Sequence, residues 1–193
     1  MLIDRLAGLS FAISPRTFFQ VNMVQTDRLY EYVREAAALT GREFVLDAYC
    51  GCGTISLALA RDAARVIGVE LNEGAIEDAK ENANRNGLWE KAEFYAGDAG
   101  VKVVELIDQG LRPDVLVVDP PRKGIDARLL SAIVKGQISR VVYVSCNPGT
   151  MARDIQRLTE EGAYRLEYIK PVDMFSQTEH VECVARLTRT AQA

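Results

Sequence analysis

The chain has 193 residues, 48% of them hydrophobic and 26% charged, which suits one domain with a sizeable core and is short for two. It contains no run of about 18 apolar residues, and its first twenty residues mix charged with apolar side chains, so neither a membrane span nor a signal peptide is expected. The formal net charge of −4 argues against a broad basic face that grips nucleic acid, so any such contact is local or is supplied by another module. We expect a cytoplasmic protein.

Short apolar runs alternate with amphipathic segments along the chain, a pattern typical of α/β proteins. A helix is predicted over residues 23–39, and Asn72 and Gly87 are predicted to bound a later one. Each apolar run leads into a turn and a helical pattern, so parallel pairing through crossovers is expected. These strands are predicted at 44–48, 66–70, 92–96, 115–119 and 140–145.

The pattern changes in the last part of the chain. Two extended segments, 164–172 and 181–188, follow a helix predicted near 151–161, and no helical pattern separates them. So short a connection permits only antiparallel pairing. The expected fold class is therefore α/β: a Rossmann-like, seven-stranded, mostly parallel sheet with a C-terminal antiparallel hairpin. Residues 1–40 are expected to form a lead-in segment and a helix that pack on the domain formed by residues 41–193, in a single globular unit.

A glycine-rich turn follows the first predicted strand at residues 47–54, Asp-Ala-Tyr-Cys-Gly-Cys-Gly-Thr. Glycines there let a backbone approach a ligand closely before a helix begins. Glu70 ends the next strand, where an acidic side chain hydrogen-bonds ribose hydroxyls in such folds. Ser56 stands where a dinucleotide fingerprint has its third glycine, which favours a single nucleoside without a pyrophosphate. The pattern favours S-adenosylmethionine as cofactor, and with it the class I methyltransferase form of the fold.

The adenosine of that cofactor needs a ribose acid, an apolar slot and an acceptor for the adenine amine. We assign these roles to Glu70, Leu71 and Asp98. Two alternatives stay open: Gly51 and Gly53 could form a tight turn without a ligand, and Asp98 could be a helix N-cap.

Two further strand ends carry candidate chemistry. Asp119 opens an Asp-Pro-Pro-Arg element after a buried strand, and the two prolines hold its carboxylate over the carboxyl end of the sheet. Amino-methyltransferases hold a target amine with a similar element, but Arg122 replaces the aromatic residue that would stack on a flipped base. Cys146 lies in Ser-Cys-Asn-Pro at 145–148, directly after an apolar run. Asp119 could instead sit in a rigid turn with a surface salt bridge, and Cys146 could be an inert buried cysteine.

The other cysteines and the single histidine offer no metal or triad chemistry. Cys50 and Cys52 form a C-x-C pair without a second pair to complete a zinc site, so reduced packing residues are expected. Cys183 is expected to point to the core face of its strand. His180 is the only histidine, which leaves no partner for a zinc site or a Ser-His triad, and we place it in a loop.

These elements together resemble the catalytic domain of the RNA uracil-5-methyltransferases, the family that makes 5-methyluridine in transfer and ribosomal RNA. The resemblance covers nearly the whole chain. It rests on residues 11–15 (Phe-Ala-Ile-Ser-Pro), 18–22 (Phe-Phe-Gln-Val-Asn), 47–54, 119–122, 145–148, 173–175 (Asp-Met-Phe) and 180–182 (His-Val-Glu).

The resemblance implies covalent catalysis on a uracil ring. Cys146 matches the nucleophile that adds to carbon 6, which turns carbon 5 into a nucleophile for the methyl group. Glu182 matches the base that removes the proton from carbon 5, although it could also be an exposed strand residue. Asp119 is implied to contact the donor and to orient the uracil. Positions that match donor contacts are Gln20, Tyr49, Thr54, Glu70 and Asp119, and the predicted cofactor site also includes Asp47, Gly51, Gly53 and Asp98.

Members of this family usually carry an RNA-binding barrel and a connecting domain ahead of the catalytic part, and some carry a four-cysteine iron–sulfur site. We therefore expect an RNA partner, ribosomal or transfer, no metal, and an RNA-binding domain that is missing from this chain. Two other functions stay open: a methyltransferase for an exocyclic amine or a small molecule, in which Cys146 is structural, and a non-catalytic module that binds S-adenosylmethionine. The presence of both Cys146 and Glu182 argues against the second.

Overall fold

Seven of the nine strands in the described part of the chain form one mixed sheet. The structure is a computed structural model and describes residues 2–14, 22–160 and 162–191. The strands are β1 (Leu2–Leu6), β2 (Leu9–Ile13), β3 (Phe44–Ala48), β4 (Arg65–Glu70), β5 (Ala92–Ala96), β6 (Val115–Val118), β7 (Arg140–Ser145), β8 (Tyr164–Val172) and β9 (Glu182–Arg189). The sheet order is β5-β4-β3-β6-β7-β9-β8, in which β9 is inserted antiparallel between β7 and β8 and the other pairs are parallel.

Helices cover both faces of this sheet. They are α1 (Met23–Ala37), α2 (Thr54–Ala60), α3 (Glu73–Arg85), α4 (Ala99–Asp108), α5 (Ala127–Lys135) and α6 (Pro148–Thr159). Side chains alternate along each strand, so Val117 packs in the core layer that α1, α2 and α3 share, and Leu116 and Val118 pack in the layer of α4, α5 and α6. None of the described helices has the length and apolar character needed to cross a membrane.

The α/β architecture expected from the sequence is confirmed. The five parallel strands lie within one residue of their predicted bounds, and the two C-terminal segments form the predicted antiparallel pair. Asn72 caps α3 by accepting hydrogen bonds from the backbone N–H groups of Gly74 and Ala75. Helix α6 begins at Pro148, earlier than the expected 151, because Asn147 caps it.

The first fourteen residues contain a hairpin that the lead-in interpretation did not anticipate. β1 and β2 pair antiparallel around Ala7 and Gly8, whose φ angles of 51° and 74° match a tight primed turn. Two asparagines, one in α3 and one at its C-cap, satisfy the open edge of β2. Asn82 Oδ1 accepts from the Ala12 N–H at 2.7 Å and its Nδ2 donates to the Ala12 carbonyl at 3.2 Å, and Asn86 pairs with Ser10 in the same way. The hairpin is thereby attached to the sheet domain.

Candidate active site

A cavity of about 460 Å³ opens at the carboxyl ends of the parallel strands. β3, β4, β6 and β7 run in the same direction and end at it, which is the edge where ligands bind in open α/β sheets. Ten of the twelve predicted site residues line it: Asp47, Tyr49, Gly51, Thr54, Glu70, Leu71, Asp98, Asp119, Cys146 and Glu182.

The glycine turn after β3 is held in an unusual backbone conformation. Tyr49, Gly51 and Gly53 all have positive φ angles, of 69°, 53° and 83°. That region is costly for a side chain, so Tyr49 holds local strain at the cavity wall. A Cβ added at Gly51 would meet nothing within 4 Å, so this backbone faces open space along the cavity. The turn can therefore approach a ligand closely.

Glu70 lies beside that turn at the end of β4. Its Oε2 accepts from the Gly51 N–H at 3.2 Å and its Oε1 accepts from the Asn72 N–H at 2.9 Å, and each oxygen retains a lone pair for a ligand. Asp98 occupies the N-cap position of α4, yet its side chain makes no capping bond and is exposed at the cavity. Leu71, 69% exposed, lies along the same wall. An acid, an apolar surface and a second acceptor thus lie together, as a nucleoside requires.

Asp47 is a buried carboxylate with one unpaired oxygen. It is 1% exposed, and its Oδ2 accepts from Ser56 Oγ at 2.5 Å. Its Oδ1 has no hydrogen-bond partner within the described residues. Burial raises the pKa of Asp47 to about 7 although the hydrogen bonds from Ser56 act in the opposite direction. A buried acceptor on a cavity wall fits a ligand that brings positive charge or N–H donors.

The Ser-Cys-Asn-Pro segment forms the turn between β7 and α6. Ser145 Oγ accepts from the Asn147 N–H at 3.0 Å. Asn147 Oδ1 accepts from the backbone N–H groups of Gly149 and Thr150 at 3.1 and 3.3 Å and so caps α6. The polar residues on either side of Cys146 therefore fix its backbone, and its half-buried thiol lies at the cavity.

Strand register brings Cys146 opposite Glu182. β7 and β9 pair antiparallel with Ser145 opposite Cys183, so the next position places the thiol-bearing residue against Glu182. Side chains directly opposite in such a pair lie on the same face of the sheet. Glu182 is 5% exposed, and burial raises its pKa. The pair thus presents a thiol and a desolvated carboxylate to one cavity.

The reactive end of the cavity is acidic. Burial raises the pKa of Asp119 well above its usual range, and the neighbouring carboxylates of Glu182 and Asp47 add to this effect. Burial also raises the pKa of Cys146, as do Glu182 and Asp119, whereas the hydrogen bond and charge of Arg122 oppose the rise. These carboxylates favour a bound cation. Thiolate formation is favoured by Arg122 and by any positive charge in the cavity.

Among the described residues, one predicted site residue does not line the cavity. Gly53 is buried, and a Cβ there would lie 3.1 Å from both Ala79 and the ring of Phe94, so its small size permits close packing between the turn and the sheet edge. Gln20 lies outside the described residues.

The remaining cysteines are buried, and His180 lies in an exposed loop. Cys50 and Cys52 line the cavity wall but are buried, and burial raises the pKa of both thiols. Cys183 is also buried and packs in a core layer. His180 is exposed in the loop before β9, and its ring lies edge-on to that of Phe175, with 6.3 Å between the ring centroids. Within the described ranges, no group of three or more His, Cys, Asp or Glu residues is arranged to hold a metal ion.

Sequence reasoning missed several cavity residues. Tyr30 of α1 is buried at the cavity and donates its hydroxyl to Thr54 Oγ1 at 2.6 Å. The sequence did offer a signal for Tyr30: it lies on the apolar face of a predicted helix, and a buried tyrosine hydroxyl needs a hydrogen-bond partner. Arg122 was considered only as a substitute for an aromatic residue, yet it lies beside the Cys146 thiol. Lys123 and Asp126 also line the cavity and were not predicted.

Two family models match the chain. The model described as tRNA (Uracil-5-)-methyltransferase matches residues 101–190, which include Asp119, Cys146 and Glu182. A general methyltransferase-domain model matches residues 45–109, which include the glycine turn and Glu70.

Curated relatives and solved structures agree with these matches. An uncharacterized RNA methyltransferase of Enterococcus faecalis is 52% identical over 97% of this chain and 41% of the relative, and one of Oceanobacillus iheyensis is 51% identical over 97% and 40%. The chain thus spans about two fifths of the length of these relatives. The Pyrococcus abyssi tRNA (uracil-54, C5)-methyltransferase, solved with S-adenosyl-L-homocysteine, superposes with a TM-score of 0.80 at 37% identity, over 97% of this chain and 44% of that one. The M. jannaschii tRNA m1G37 methyltransferase, at TM-score 0.72 and 14% identity over 98% of this chain and 57% of that one, shares the fold alone. The chain belongs to the RNA uracil-5-methyltransferase family and has the fold of the S-adenosylmethionine-dependent methyltransferases.

Proposed function

We propose that this chain transfers a methyl group from S-adenosylmethionine to carbon 5 of a uracil in RNA, through a covalent bond between Cys146 and the ring. The observation that carries the proposal is the convergence of Cys146, Glu182 and Asp119 on the cavity that also holds the glycine turn. A site for donor binding alone needs neither a thiol nor a desolvated carboxylate opposite it. The protein of similar structure that is named a tRNA (uracil-54, C5)-methyltransferase supports carbon 5 of uracil as the acceptor.

The residues of the glycine turn and of β4 fit the methyl donor. S-adenosylmethionine supplies an electrophilic methyl group on a positively charged sulfur. Glu70 has free lone pairs for ribose hydroxyls, and we assign the adenine ring and its amine to Leu71 and Asp98, which line the same cavity. The unpaired Oδ1 of Asp47 suits a cationic ligand. Carboxylates fixed near a sulfonium stabilise it without the reorganisation that water would need.

Cys146 acts on the acceptor as a nucleophile. Its thiolate sulfur forms a bond to carbon 6 of uracil, the carbon 5–carbon 6 double bond breaks, and the electron pair moves into an enolate that makes carbon 5 nucleophilic. Carbon 5 then takes the methyl group from the donor. The electron pair of the broken methyl–sulfur bond stays on the donor sulfur, which becomes neutral. Glu182 accepts the proton from carbon 5, the double bond re-forms, and the Cys146 thiolate leaves.

Two neighbours assist these steps. Arg122 lowers the pKa of the Cys146 thiol, against the effect of burial and of the carboxylates, and so raises the thiolate fraction. Asp119, with a raised pKa, holds a proton at higher pH than an ordinary aspartate, so it can donate a hydrogen bond to a uracil carbonyl. In this arrangement Glu182 is the base and Asp119 orients the ring.

Nucleoside mass spectrometry of a uridine-containing RNA, incubated with the protein and S-adenosylmethionine, tests the proposal. We expect 5-methyluridine with wild type and with Cys183→Ala, whose thiol lies outside the cavity, and none with Cys146→Ala. A methylated exocyclic amine that forms equally well with Cys146→Ala would show that the acceptor is an amine and that the thiol is structural. Donor binding by calorimetry in every variant separates lost chemistry from lost folding.

A further inference from the structure

Positive charge is concentrated in one part of a chain whose net charge is −4. Residues 120–158 contain seven arginines and lysines and only two acidic residues, Asp126 and Asp154. Asp126 caps α5, where it accepts from the Arg128 N–H at 2.8 Å, and Asp154 is 0% exposed. The solvent-facing side of this region is therefore cationic.

Four of these cations form what we call the basic rim: Arg122, Lys123, Arg128 and Arg153, all exposed. They lie on the loop after β6 or in the first half of α5 and α6, the helix halves nearer the carboxyl ends of the strands. Arg128 and Arg153 pair with the two aspartates of the region. Arg122 and Lys123 form no ion pair with any carboxylate of the described residues. Arg157 lies one helical turn beyond Arg153, towards the end of α6 that is remote from the cavity, and does not belong to the rim.

The backbone beneath the first two rim residues is tied to α6 and its cap. The Arg122 carbonyl accepts from Asn147 Nδ2 at 3.3 Å, next to Cys146. The Lys123 carbonyl accepts from Arg153 Nη2 at 2.8 Å. The loop that carries two cations is thus positioned at the cavity before any ligand arrives.

Gly124 makes this attachment possible. Its φ is +84°, and a Cβ there would lie 2.4 Å from both Arg153 Nη2 and Asp154 Oδ2, so no larger residue fits without displacing them. Asp154 Oδ2 in turn accepts from the Ile125 N–H at 2.7 Å. A buried carboxylate and a glycine with a positive φ angle together fix the loop.

We propose that the basic rim binds the sugar–phosphate backbone of RNA on either side of the nucleotide whose base enters the cavity. The proposal rests on the proposed function. Six acidic side chains line the cavity, and those that are ionised repel phosphate: Asp47, Glu70, Asp98, Asp119, Asp126 and Glu182. A polyanion therefore approaches the mouth only where cations offset this repulsion, and the rim supplies them there, with Lys123 lining the cavity itself. Contacts of this kind position RNA without reading its sequence.

Fluorescence anisotropy of a labelled single-stranded RNA that contains uridine, measured at several salt concentrations, tests the rim. We expect Lys123→Gln and Arg128→Gln each to weaken RNA binding about three- to tenfold at low salt, and to reduce the slope of log K against log salt by about 0.7 for each phosphate that the variant no longer binds. Arg42→Gln is the matched control, because this exposed arginine precedes β3 and so lies at the opposite end of the sheet. Calorimetry with S-adenosylmethionine checks that each variant remains folded.

The proposal is overturned if wild type does not bind the RNA, if the rim variants bind like Arg42→Gln, or if their loss of affinity does not depend on salt. The same RNA, analysed for 5-methyluridine, separates this proposal from the function. Rim-dependent binding without methylation at carbon 5 would refute the proposed function and support the rim. If wild type forms 5-methyluridine and the rim variants bind RNA as tightly as wild type, the proposed function is supported and the rim is refuted.

Discussion

Replacing Asp154 by alanine tests whether a buried carboxylate fixes the loop after β6. Asp154 Oδ2 accepts from the Ile125 N–H at 2.7 Å and from the Tyr143 hydroxyl at 2.9 Å, both inside the protein. Each donor left without a partner costs about 1–3 kcal/mol. The ion pair with Arg153 adds little, because the Arg153 side chain is 44% exposed and regains water. We expect Asp154→Ala to lower the free energy of unfolding by about 3 kcal/mol.

Thermal unfolding followed by circular dichroism measures this effect. For a chain of this size, about 3 kcal/mol corresponds to a decrease in Tm of roughly 6–12 °C. Glu160→Ala is the control, because Glu160 is exposed at the end of the same helix and its loss should change stability by less than about 0.5 kcal/mol. Tyr143→Phe, which removes one of the two donors and leaves Asp154 in place, should cost about 1 kcal/mol. An Asp154→Ala protein that unfolds within about 2 °C of wild type would refute this account of the loop.

Three further predictions concern the cavity. Glu182→Gln should lower the methylation rate by at least about a hundredfold, since a general base accelerates a reaction about 10²–10⁴-fold, and RNA should remain attached to Cys146. Iodoacetamide labelling of this variant should also show a lower pKa for the Cys146 thiol, because a carboxylate that raises that pKa is gone. The pKa of Asp47 is about 7 in the folded state against an ordinary value of 3.8, so ionising Asp47 lowers the free energy of unfolding as pH rises from about 3.8 to about 7. Asp47→Asn should therefore raise Tm at pH 8 in the absence of ligand, yet weaken donor binding measured by calorimetry. Tyr30→Phe removes a 2.6 Å hydrogen bond to Thr54 and should cost about 1 kcal/mol in urea unfolding, with weaker donor binding.

The sheet could be predicted closely from the sequence because its parallel strands are buried on both faces. Val115–Val118 is wholly buried, so it reads as a continuous apolar run with a clear end. The N-terminal hairpin was not predicted, because its strands are short and its Ala7-Gly8 turn lacks the Asn-Gly or Asp-Gly pair that marks such turns. Its attachment to the sheet domain depends on Asn82 and Asn86, which lie some seventy residues away. Pairings over such distances leave no local pattern.

The candidate site was predictable at its strand ends and less so between them. Asp119, Cys146 and Glu182 each adjoin a buried strand, and strand order alone brings them together. Asp154 was missed although it left a signal: it stands among Met151, Ile155 and Leu158 in the apolar stripe of α6, where an acid needs a buried partner. Which partner it has depends on loop geometry, which no periodicity encodes.

Trapping with 5-fluorouridine RNA tests the covalent mechanism most directly. Fluorine at carbon 5 leaves Glu182 no proton to remove after methyl transfer, so the bond between Cys146 and the ring should persist. With S-adenosylmethionine present, we expect a protein–RNA adduct on a denaturing gel, with its mass confirmed by mass spectrometry, for wild type and not for Cys146→Ala. If wild type binds both the donor and the RNA and forms no adduct, or if Cys146→Ala forms one, Cys146 is not the nucleophile.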